Sequence, residues 1–410
     1  WEAGVHGMDA AAEFNDLCTG CSRCVPACPV GIDIPWINTV VRDRLNGGDG
    51  QFDFLVDGLT PDAETDGPSD GNWDKRLFGN VETLAKLGSA TAPVANRLAG
   101  SRPVKRVLQR VAGVDARRDL PEFAGTTFVE WAHDRGFAPD GDRPIPESET
   151  AKPTEPPTAE QVERRAVVYP DLYTNYMDPG RGKAAVRALH ALGVDVVVPD
   201  APGSGRAPLS QGMIDTARAK AEATFAALDP YLARDVVVIE PSAAAMFRDD
   251  YEQLLDEARF DRLAETTYEV MEYVYGLLAN GGRVDRLSGP AETDVRTADG
   301  PSPGPDDRVA YHRHCQSRTM GVAEYATATL EACGYEVTTT DVECCGMAGS
   351  FGYKTDYYEL SMAVGEELAD ELRAVEADYV VAAGTSCQDQ IADLLGDRPP
   401  HPVELIAPRP

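Results

Sequence analysis

A pattern that occurs twice in the chain does most to limit its fold. Residues 166–205 and 309–346 each contain a β-branched segment, a loop, a helical run of Ala and Leu ending at a glycine, a second β-branched segment and a glycine-containing loop. Each copy continues through a helical segment to a further strand, at 235–239 in the first and 379–381 in the second. A strand–helix–strand order requires parallel neighbours with a right-handed crossover. Two copies of one α/β unit with parallel sheets are therefore predicted.

Four cysteines near the N-terminus form the most specific motif in the chain. Cys18, Cys21, Cys24 and Cys28 precede a proline in the C-x2-C-x2-C-x3-C-P spacing of bacterial ferredoxins. Zinc sites usually divide their ligands into two separated pairs. In ferredoxins with two such runs the fourth cysteine binds the other cluster, but residues 29–314 contain no cysteine. We therefore assign all four thiols to one 4Fe-4S cluster.

The regions outside the repeat complete the predicted organisation. Residues 46–74 are rich in Gly and Asp and are predicted to form a long surface loop, and residues 76–114 have helical apolar spacing. The segment between the helices and the first copy is rich in Pro, Asp, Glu and Thr, as linkers are. The predicted class is α/β, with a helical, ferredoxin-like domain at 1–135, a linker at 136–164, the first α/β repeat at 165–290 and the second at 291–410.

A second group of cysteines lies in the second repeat. Cys344 and Cys345 are adjacent, in a loop that also contains three glycines. Because neighbouring side chains on a strand point to opposite faces, both thiols can meet one target only in an irregular turn, which glycines permit. Cys315 and Cys387 each follow a predicted strand. These four thiols are predicted to form one soft-metal site, which would hold a second iron–sulfur cluster.

The first copy lacks these thiols. Residues 203–205 and 241–243 stand where the second copy has 344–346 and 385–387, and they contain no cysteine. The first copy is therefore predicted to be a scaffold or a docking surface for a partner. Cys333 matches a leucine at the end of a predicted helix in the first copy, so we interpret it as a small buried apolar residue.

Two histidines lie close to one of the predicted ligands. His312 and His314 come three residues and one residue before Cys315. Histidine binds metals, but four thiols are already available at this site. Hydrogen bonding to the ligand sulfurs is the preferred interpretation, and direct metal binding is the alternative.

The charge of the chain limits its partners. The sequence has 38 Lys+Arg against 68 Asp+Glu, a formal net charge of −30. Such a surface repels nucleic acid and anionic lipid overall, so no nucleic-acid partner is predicted. Acidity spread along the chain, with few lysines, suggests a salt-adapted organism; an acidic protein from an ordinary source is the alternative.

The sequence favours a cytoplasmic location. Residues 1–17 do not resemble a signal peptide, and no apolar segment approaches the roughly 18–20 residues that cross a bilayer. Nine cysteines in metal-like spacings favour a reducing compartment. We expect a cytoplasmic protein that associates peripherally with the inner face of the membrane where a partner is held there. The chain begins at Trp1 rather than Met, which suggests an upstream segment.

At several motifs the sequence resembles a known family. The loop CCGMAGSFGY, with HRHCQSRTMG and AAGTSCQDQI, is similar to the cysteine-rich (CCG) domain of heterodisulfide reductases, glycolate oxidase iron–sulfur subunits, anaerobic glycerol-3-phosphate dehydrogenase and lactate-utilisation proteins. Over most of residues 118–391 the chain looks like the iron–sulfur half of flavin-containing D-2-hydroxyacid dehydrogenases. The ferredoxin run and GIDIPWINTVVRDR resemble the iron–sulfur protein of lactate utilisation. The resemblance implies FAD on a partner or a missing domain.

This sequence departs from the family pattern in three ways. It has one ferredoxin run where two are common, and its first copy has no cysteines. Gly384 stands where some members have the first cysteine of a C-x-x-C pair. A double-cubane site of the heterodisulfide-reductase kind is therefore not expected, and each motif is expected to hold at most one cluster.

The resemblance implies an oxidoreductase component that transfers electrons in a 2-hydroxyacid dehydrogenase system, with lactate or glycolate as substrate. No G-x-G-x-x-G motif follows a predicted strand, so we assign substrate oxidation to a flavoprotein dehydrogenase subunit or domain. Electrons would then pass through the clusters to a quinone or another carrier.

Three other interpretations remain open at this point. The paired-cysteine site could catalyse heterodisulfide or thiol–disulfide chemistry, with substrate sulfur bound directly to a cluster. Its thiols could instead hold zinc, which is redox-silent, in a non-catalytic assembly platform. A disulfide between Cys344 and Cys345 is the third.

Overall fold

The computed structural model describes residues 15–47, 73–139, 164–288 and 307–409. The predicted surface loop at 46–74 and the predicted linker at 136–164 lie almost entirely outside these residues, as does Trp1. The division of the chain at 135, 164 and 290 therefore stays a prediction.

The described part of the N-terminal region is helical, as the apolar spacing predicts. Prolines near the starts of two of its helices fix φ where no intrahelical hydrogen bond is lost. Thr127 caps the last helix in a reciprocal box with Glu130. The helices are α1 (Ile34–Gly47), α2 (Trp73–Gly79), α3 (Val81–Ala90), α4 (Ala92–Ala99), α5 (Arg102–Ala112) and α6 (Phe128–Asp134).

The first repeat forms a parallel sheet of four strands in the order β2-β1-β3-β4. The sequence predicts the first three strands but misses the fourth, which has only three residues and runs directly into a helix. The elements are β1 (Arg165–Tyr169), α7 (Leu172–Tyr176), α8 (Pro179–Ala191), β2 (Asp195–Val197), α9 (Arg206–Ser210), α10 (Ile214–Leu228), β3 (Asp235–Val238), α11 (Pro241–Arg248), α12 (Glu257–Ala264), β4 (Thr267–Glu269) and α13 (Val270–Ala279).

The second repeat forms a parallel sheet of three strands in the order β6-β5-β7. This order matches β2-β1-β3 of the first repeat, so the prediction of two copies of one α/β unit is confirmed. The elements are β5 (Arg308–His312), α14 (Cys315–Thr319), α15 (Ala323–Ala332), β6 (Glu336–Thr339), α16 (Tyr358–Ala374), β7 (Tyr379–Ala382), α17 (Thr385–Leu395) and α18 (Pro402–Ile406).

One apolar core joins the two repeats. Val168 and Leu189 of the first repeat belong to the same buried cluster as Tyr311 of the second, and Phe128 and Trp131 of α6 pack into it with stacked rings. A second cluster, on the other face of the first sheet, includes α10, α11 and part of α1. The first sheet is thus covered on both faces, as parallel sheets are.

A buried ionic cluster of the first repeat is hydrogen-bonded to the second repeat. Arg181 of α8 is fully buried and pairs with Asp171 at 3.4 Å and with Glu240 at 3.2 Å. Glu240 accepts hydrogen bonds from Thr385, from the backbone nitrogen at 3.0 Å and from Oγ1 at 2.7 Å. The start of α17, which carries Cys387, is therefore held by a carboxylate of the first repeat.

Removing the central cation tests how much this contact stabilises the fold. We expect Arg181→Met to lower the free energy of unfolding by about 3–5 kcal/mol, because it leaves the carboxylates of Asp171 and Glu240 buried without a counter-charge. The matched variant Arg373→Met removes an arginine whose ion pairs are exposed, and should change stability by less than about 1 kcal/mol. Equal losses in chemical denaturation would contradict this account.

Candidate metal centres

The ferredoxin-type run folds into a chain of tight turns. Gly20 and Ser22 have positive φ, and the backbone nitrogen of Val25 donates to the oxygen of Ser22 at 3.1 Å. Cys24 is exposed and the other three thiols are partly exposed. The backbone nitrogen of Ile32 donates to Sγ of Cys28 at 3.4 Å, and backbone hydrogen bonds of this kind lower the pKa of Cys28.

One buried arginine ties this loop to the rest of the protein. Arg42 of α1 donates from Nη2 to the backbone oxygen of Cys18 at 2.9 Å and from Nη1 to that of Ser210, in the first repeat, at 2.7 Å. It also pairs with Asp16 at 3.3 Å. The loop thus keeps a fixed position relative to the first sheet.

The paired-cysteine loop is irregular in the way that its glycines predict. Gly346 has φ +86°, and a Cβ atom there would lie 2.3 Å from the backbone oxygen of Ser361. No other residue fits without moving α16. Gly349 also has positive φ, and its nitrogen donates to Oγ of Ser386 at 3.0 Å. This bond connects the paired-cysteine loop to the start of α17.

The sheet topology brings the second group of cysteines together. Cys315 follows β5, Cys344 and Cys345 follow β6, and Cys387 follows β7. In a parallel sheet the carboxyl ends of the strands share one edge, where α/β proteins bind their ligands. The structure therefore places these four thiols at one edge, and each of Cys315 and Cys387 experiences the charge of the adjacent pair.

The four thiols differ in environment. Cys345 and Cys387 are buried, and hydrogen bonding with Cys387 holds the pKa of Cys345 well below its usual value while the pKa of Cys387 is raised. Burial raises the pKa of Cys315. Cys344 is exposed as a residue, yet the surrounding protein desolvates its thiol enough to raise its pKa to about 11. Metal coordination would have to supply the driving force for deprotonating Cys315, Cys344 and Cys387, whose pKa values are raised.

The two histidines that precede Cys315 have separate roles. Nδ1 of His312 is 2.9 Å from Oγ1 of Thr340, and the imidazole helps to lower the pKa of Cys345. His314 caps α14, because its Nδ1 accepts from the backbone nitrogen of Gln316 at 3.2 Å. Its ring fills the space beside Gly384, where an added Cβ atom would lie 2.1 Å from Cδ2 of His314. A cysteine at position 384 would collide with this ring.

The two cysteine sites lie against each other, which the sequence analysis did not predict. Arg23 in the ferredoxin-type loop pairs at 2.5 Å with Glu343, the residue before the cysteine pair. Oγ1 of Thr319 donates to the backbone oxygen of Cys21 at 3.1 Å. Cys21 is also among the charges that raise the pKa of Cys315. No sequence signal could have shown this, because the contacts join residues about 300 positions apart and use backbone oxygens.

Cys333 lies apart from both groups. It follows α15 and packs against the shared core, and burial alone raises its pKa to about 12. No other cysteine contributes to that shift. The prediction that it packs as a small apolar residue agrees with this position.

The donor set fits thiolate-bound iron–sulfur clusters. All nine cysteines are free thiols, and eight of them form two groups of four, the number that a 4Fe-4S cluster requires. Soft thiolates select iron–sulfur clusters, zinc or Cu(I). In the parts of the chain that the structure describes, no three His, Cys, Asp or Glu side chains are arranged around a point that could hold a single metal ion.

Two family models match the chain at these sites. Residues 14–32 match the 4Fe-4S binding domain, and residues 309–392 match the Cysteine-rich domain, also called CCG. The chain therefore carries both domains, and the two matches support iron–sulfur clusters as its cofactors.

In sequence the chain is similar to a dehydrogenase subunit, a dehydrogenase and a lactate utilization protein. It is 24% identical to a subunit of the anaerobic glycerol-3-phosphate dehydrogenase of Escherichia coli K12, over 81% of this chain and 76% of the relative. It is 27% identical to the D-2-hydroxyglutarate dehydrogenase of the same organism, over 99% of this chain but only 36% of the relative. Lactate utilization protein A of Anoxybacillus flavithermus is 26% identical over 55% of this chain and 89% of its own length. The chain is thus an oxidoreductase component with iron–sulfur domains.

Cysteine substitutions separate the ligand group from the packing cysteine. We expect about eight irons per chain in anaerobically purified protein, with little zinc. Cys345→Ser should remove the iron of the second site, because it deletes one of its four thiolates, whereas Cys333→Ser should retain all iron. Both variants are measured for iron, labile sulfide and zinc. Loss of iron from the Cys333 variant, or full iron in the Cys345 variant, would show that the second site is assigned to the wrong residues.

Proposed function

We propose that this chain is the iron–sulfur electron-transfer component of a 2-hydroxyacid dehydrogenase system, with lactate or glycolate as the substrate oxidised. The observation that supports it best is the direct contact between the two cysteine loops, through Arg23–Glu343 and Thr319–Cys21. A cluster bound at either loop takes up and releases single electrons. The packing keeps the two loops at a fixed separation, which a relay requires.

The cofactor ligands in this proposal are the eight grouped cysteines. Cys18, Cys21, Cys24 and Cys28 hold a 4Fe-4S cluster. The second group holds a second iron–sulfur cluster. The side chain of His312 lowers the pKa of Cys345 and would thereby tune the charge on that ligand sulfur. The members of this second group are Cys315, Cys344, Cys345 and Cys387.

Substrate oxidation belongs to a flavoprotein in this proposal. Nearly the whole chain aligns with about a third of D-2-hydroxyglutarate dehydrogenase, which leaves room in that relative for a further catalytic part. Exposed Cys24 lies in the same loop as the exposed apolar residues Val30 and Ile32, and Ile34 follows them. We propose that the flavoprotein dehydrogenase subunit or domain contacts these exposed apolar residues.

The acceptor and the location complete the proposal. Electrons leave for a quinone or another carrier, and the chain works in the cytoplasm, peripheral to the inner face of the membrane. None of the described helices combines the length and apolar character needed to span a bilayer. The charge of −30 is consistent with a salt-adapted source.

Heterodisulfide or thiol–disulfide chemistry is the second candidate function. Cys344 favours it, because this residue is exposed at the second site and could be approached by substrate sulfur. The absence of thiols from the first repeat opposes it. Reduction of a mixed disulfide by the dithionite-reduced protein, lost in Cys344→Ser, would support this candidate over the relay.

The relay is tested by removing the ferredoxin-type cluster, which receives electrons first in the proposed order. We expect Cys24→Ser to lose the ferredoxin-type cluster and to slow the reduction of the second site by photoreduced FMN at least ten-fold, because electrons would no longer pass through the adjacent loop. Rapid-freeze EPR measures each signal, circular dichroism checks the fold, and Cys333→Ser is the control. An unchanged rate at the second site would mean that it receives electrons directly, and the proposed order would be wrong.

A further inference from the structure

Helices α4 and α5 carry an exposed apolar surface. Val94 and Leu98 on α4 are 62% and 55% exposed, and Val107 and Val111 on α5 are 59% and 62% exposed. Single exposed apolar residues are ordinary, whereas a patch of several marks a candidate contact surface. No residue of this patch belongs to either cysteine site.

Four arginines accompany these apolar side chains. Arg97, Arg102, Arg106 and Arg110 are exposed, and within the described residues none of them makes an ion pair or a hydrogen bond. The chain has 68 Asp+Glu, so carboxylates are abundant. Lys105 on the same helix pairs with Asp119 at 2.6 Å. We call the four apolar residues and the four arginines the arginine face.

The order of residues on α5 separates the two kinds of side chain. Arg102, Arg106 and Arg110 recur every four residues and form one stripe along the helix. Val107 and Val111, also four apart, form the neighbouring stripe, while Val104 and Leu108 are half-buried against the protein. The helix therefore presents a basic stripe and an apolar stripe side by side to its surroundings.

We propose that the arginine face binds the surface of an anionic phospholipid membrane. A helix with cleanly separated basic and apolar stripes and low overall hydrophobicity lies flat in the headgroup region. Its arginines contact lipid phosphates and its valines enter the boundary of the acyl chains. The inference rests on the membrane location given under the proposed function and names the surface that makes the contact; it does not depend on the electron-transfer role.

The net charge of −30 does not prevent this contact. Charges are screened over about 8 Å at physiological ionic strength, so the membrane at contact interacts mainly with the local arginines. The remaining acidic surface instead opposes approach by other faces, and thereby orients the protein.

A membrane is favoured over a protein partner by the arrangement of the side chains on α5. Its basic stripe and its apolar stripe run side by side along the helix axis, which is the pattern of a helix that lies in the plane of a membrane interface. The four arginines of the arginine face match the negative charge of phospholipid headgroups.

Vesicle co-sedimentation tests the proposal. The holoprotein is mixed with vesicles of three parts phosphatidylcholine to one part phosphatidylglycerol, or of phosphatidylcholine alone, at the lowest salt at which circular dichroism shows it folded. We expect binding to the anionic vesicles. The variant Arg106→Gln/Arg110→Gln should lower the partition coefficient roughly twenty-five-fold, about five-fold for each arginine. Val107→Asp/Val111→Asp should lower it at least ten-fold.

Controls on another exposed segment make the result specific. Val284→Asp and Arg286→Gln lie on a short turn after α13, away from the arginine face in sequence, and should bind vesicles like the wild type. Wild-type protein that does not bind anionic vesicles, or face variants that bind as well as the controls, would overturn the proposal. A change of oligomeric state in the Val107→Asp/Val111→Asp variant, without vesicle binding by the wild type, would assign the face to contact between copies.

Discussion

The carboxylate of Glu240 is the interaction on which the arrangement of the sites depends. Glu240 follows β3 of the cysteine-free repeat, at the start of α11. Its carboxylate pairs with buried Arg181 and accepts both hydrogen bonds that Thr385 donates at the start of α17. In the repeat alignment Glu240 corresponds to Gly384. The contact between Glu240 and Thr385 joins the segments that follow β3 and β7, at the carboxyl ends of the two sheets. A buried charge pair is costly unless its geometry is well satisfied, which favours one relative position of the repeats over others. The first repeat lacks the thiols but still positions those of the second.

This arrangement explains why the ferredoxin-type loop lies where it does. Arg42 fixes the loop to the end of α9 in the first repeat, and Arg206 of the same helix donates to the backbone oxygen of Gly20 at 2.6 Å. The second repeat completes the contact through Glu343 and Thr319. Each repeat thus packs against one side of the ferredoxin-type loop. The separation of the two cysteine groups is therefore set by the packing of the loop against both repeats.

The sequence was sufficient for features that depend on local pattern. The β-branched strands, their parallel order and the two groups of four cysteines follow from spacing and periodicity, and the glycines at 346 and 349 predict the irregular turn. It was insufficient where a single residue acts across the repeats. Glu240 looks like an ordinary acidic residue in an acidic chain, and Arg181 like one of many helical arginines, yet both are buried. The three-residue strand β4 is too short for its alternation to be recognised, and it is defined by pairing with β3.

The packing of His314 also limits what chemistry the second site can perform. Its ring occupies the space beside Gly384, so the fifth thiol that a C-x-x-C pair would add cannot be accommodated without moving α14 or α17. His314 in turn caps α14 directly before Cys315, so moving it would displace a proposed ligand. The site therefore has four thiols and no spare one with which to form a mixed disulfide while all four remain bound to metal. A site of this composition is better suited to passing electrons than to sulfur exchange, which agrees with its position against the ferredoxin-type loop.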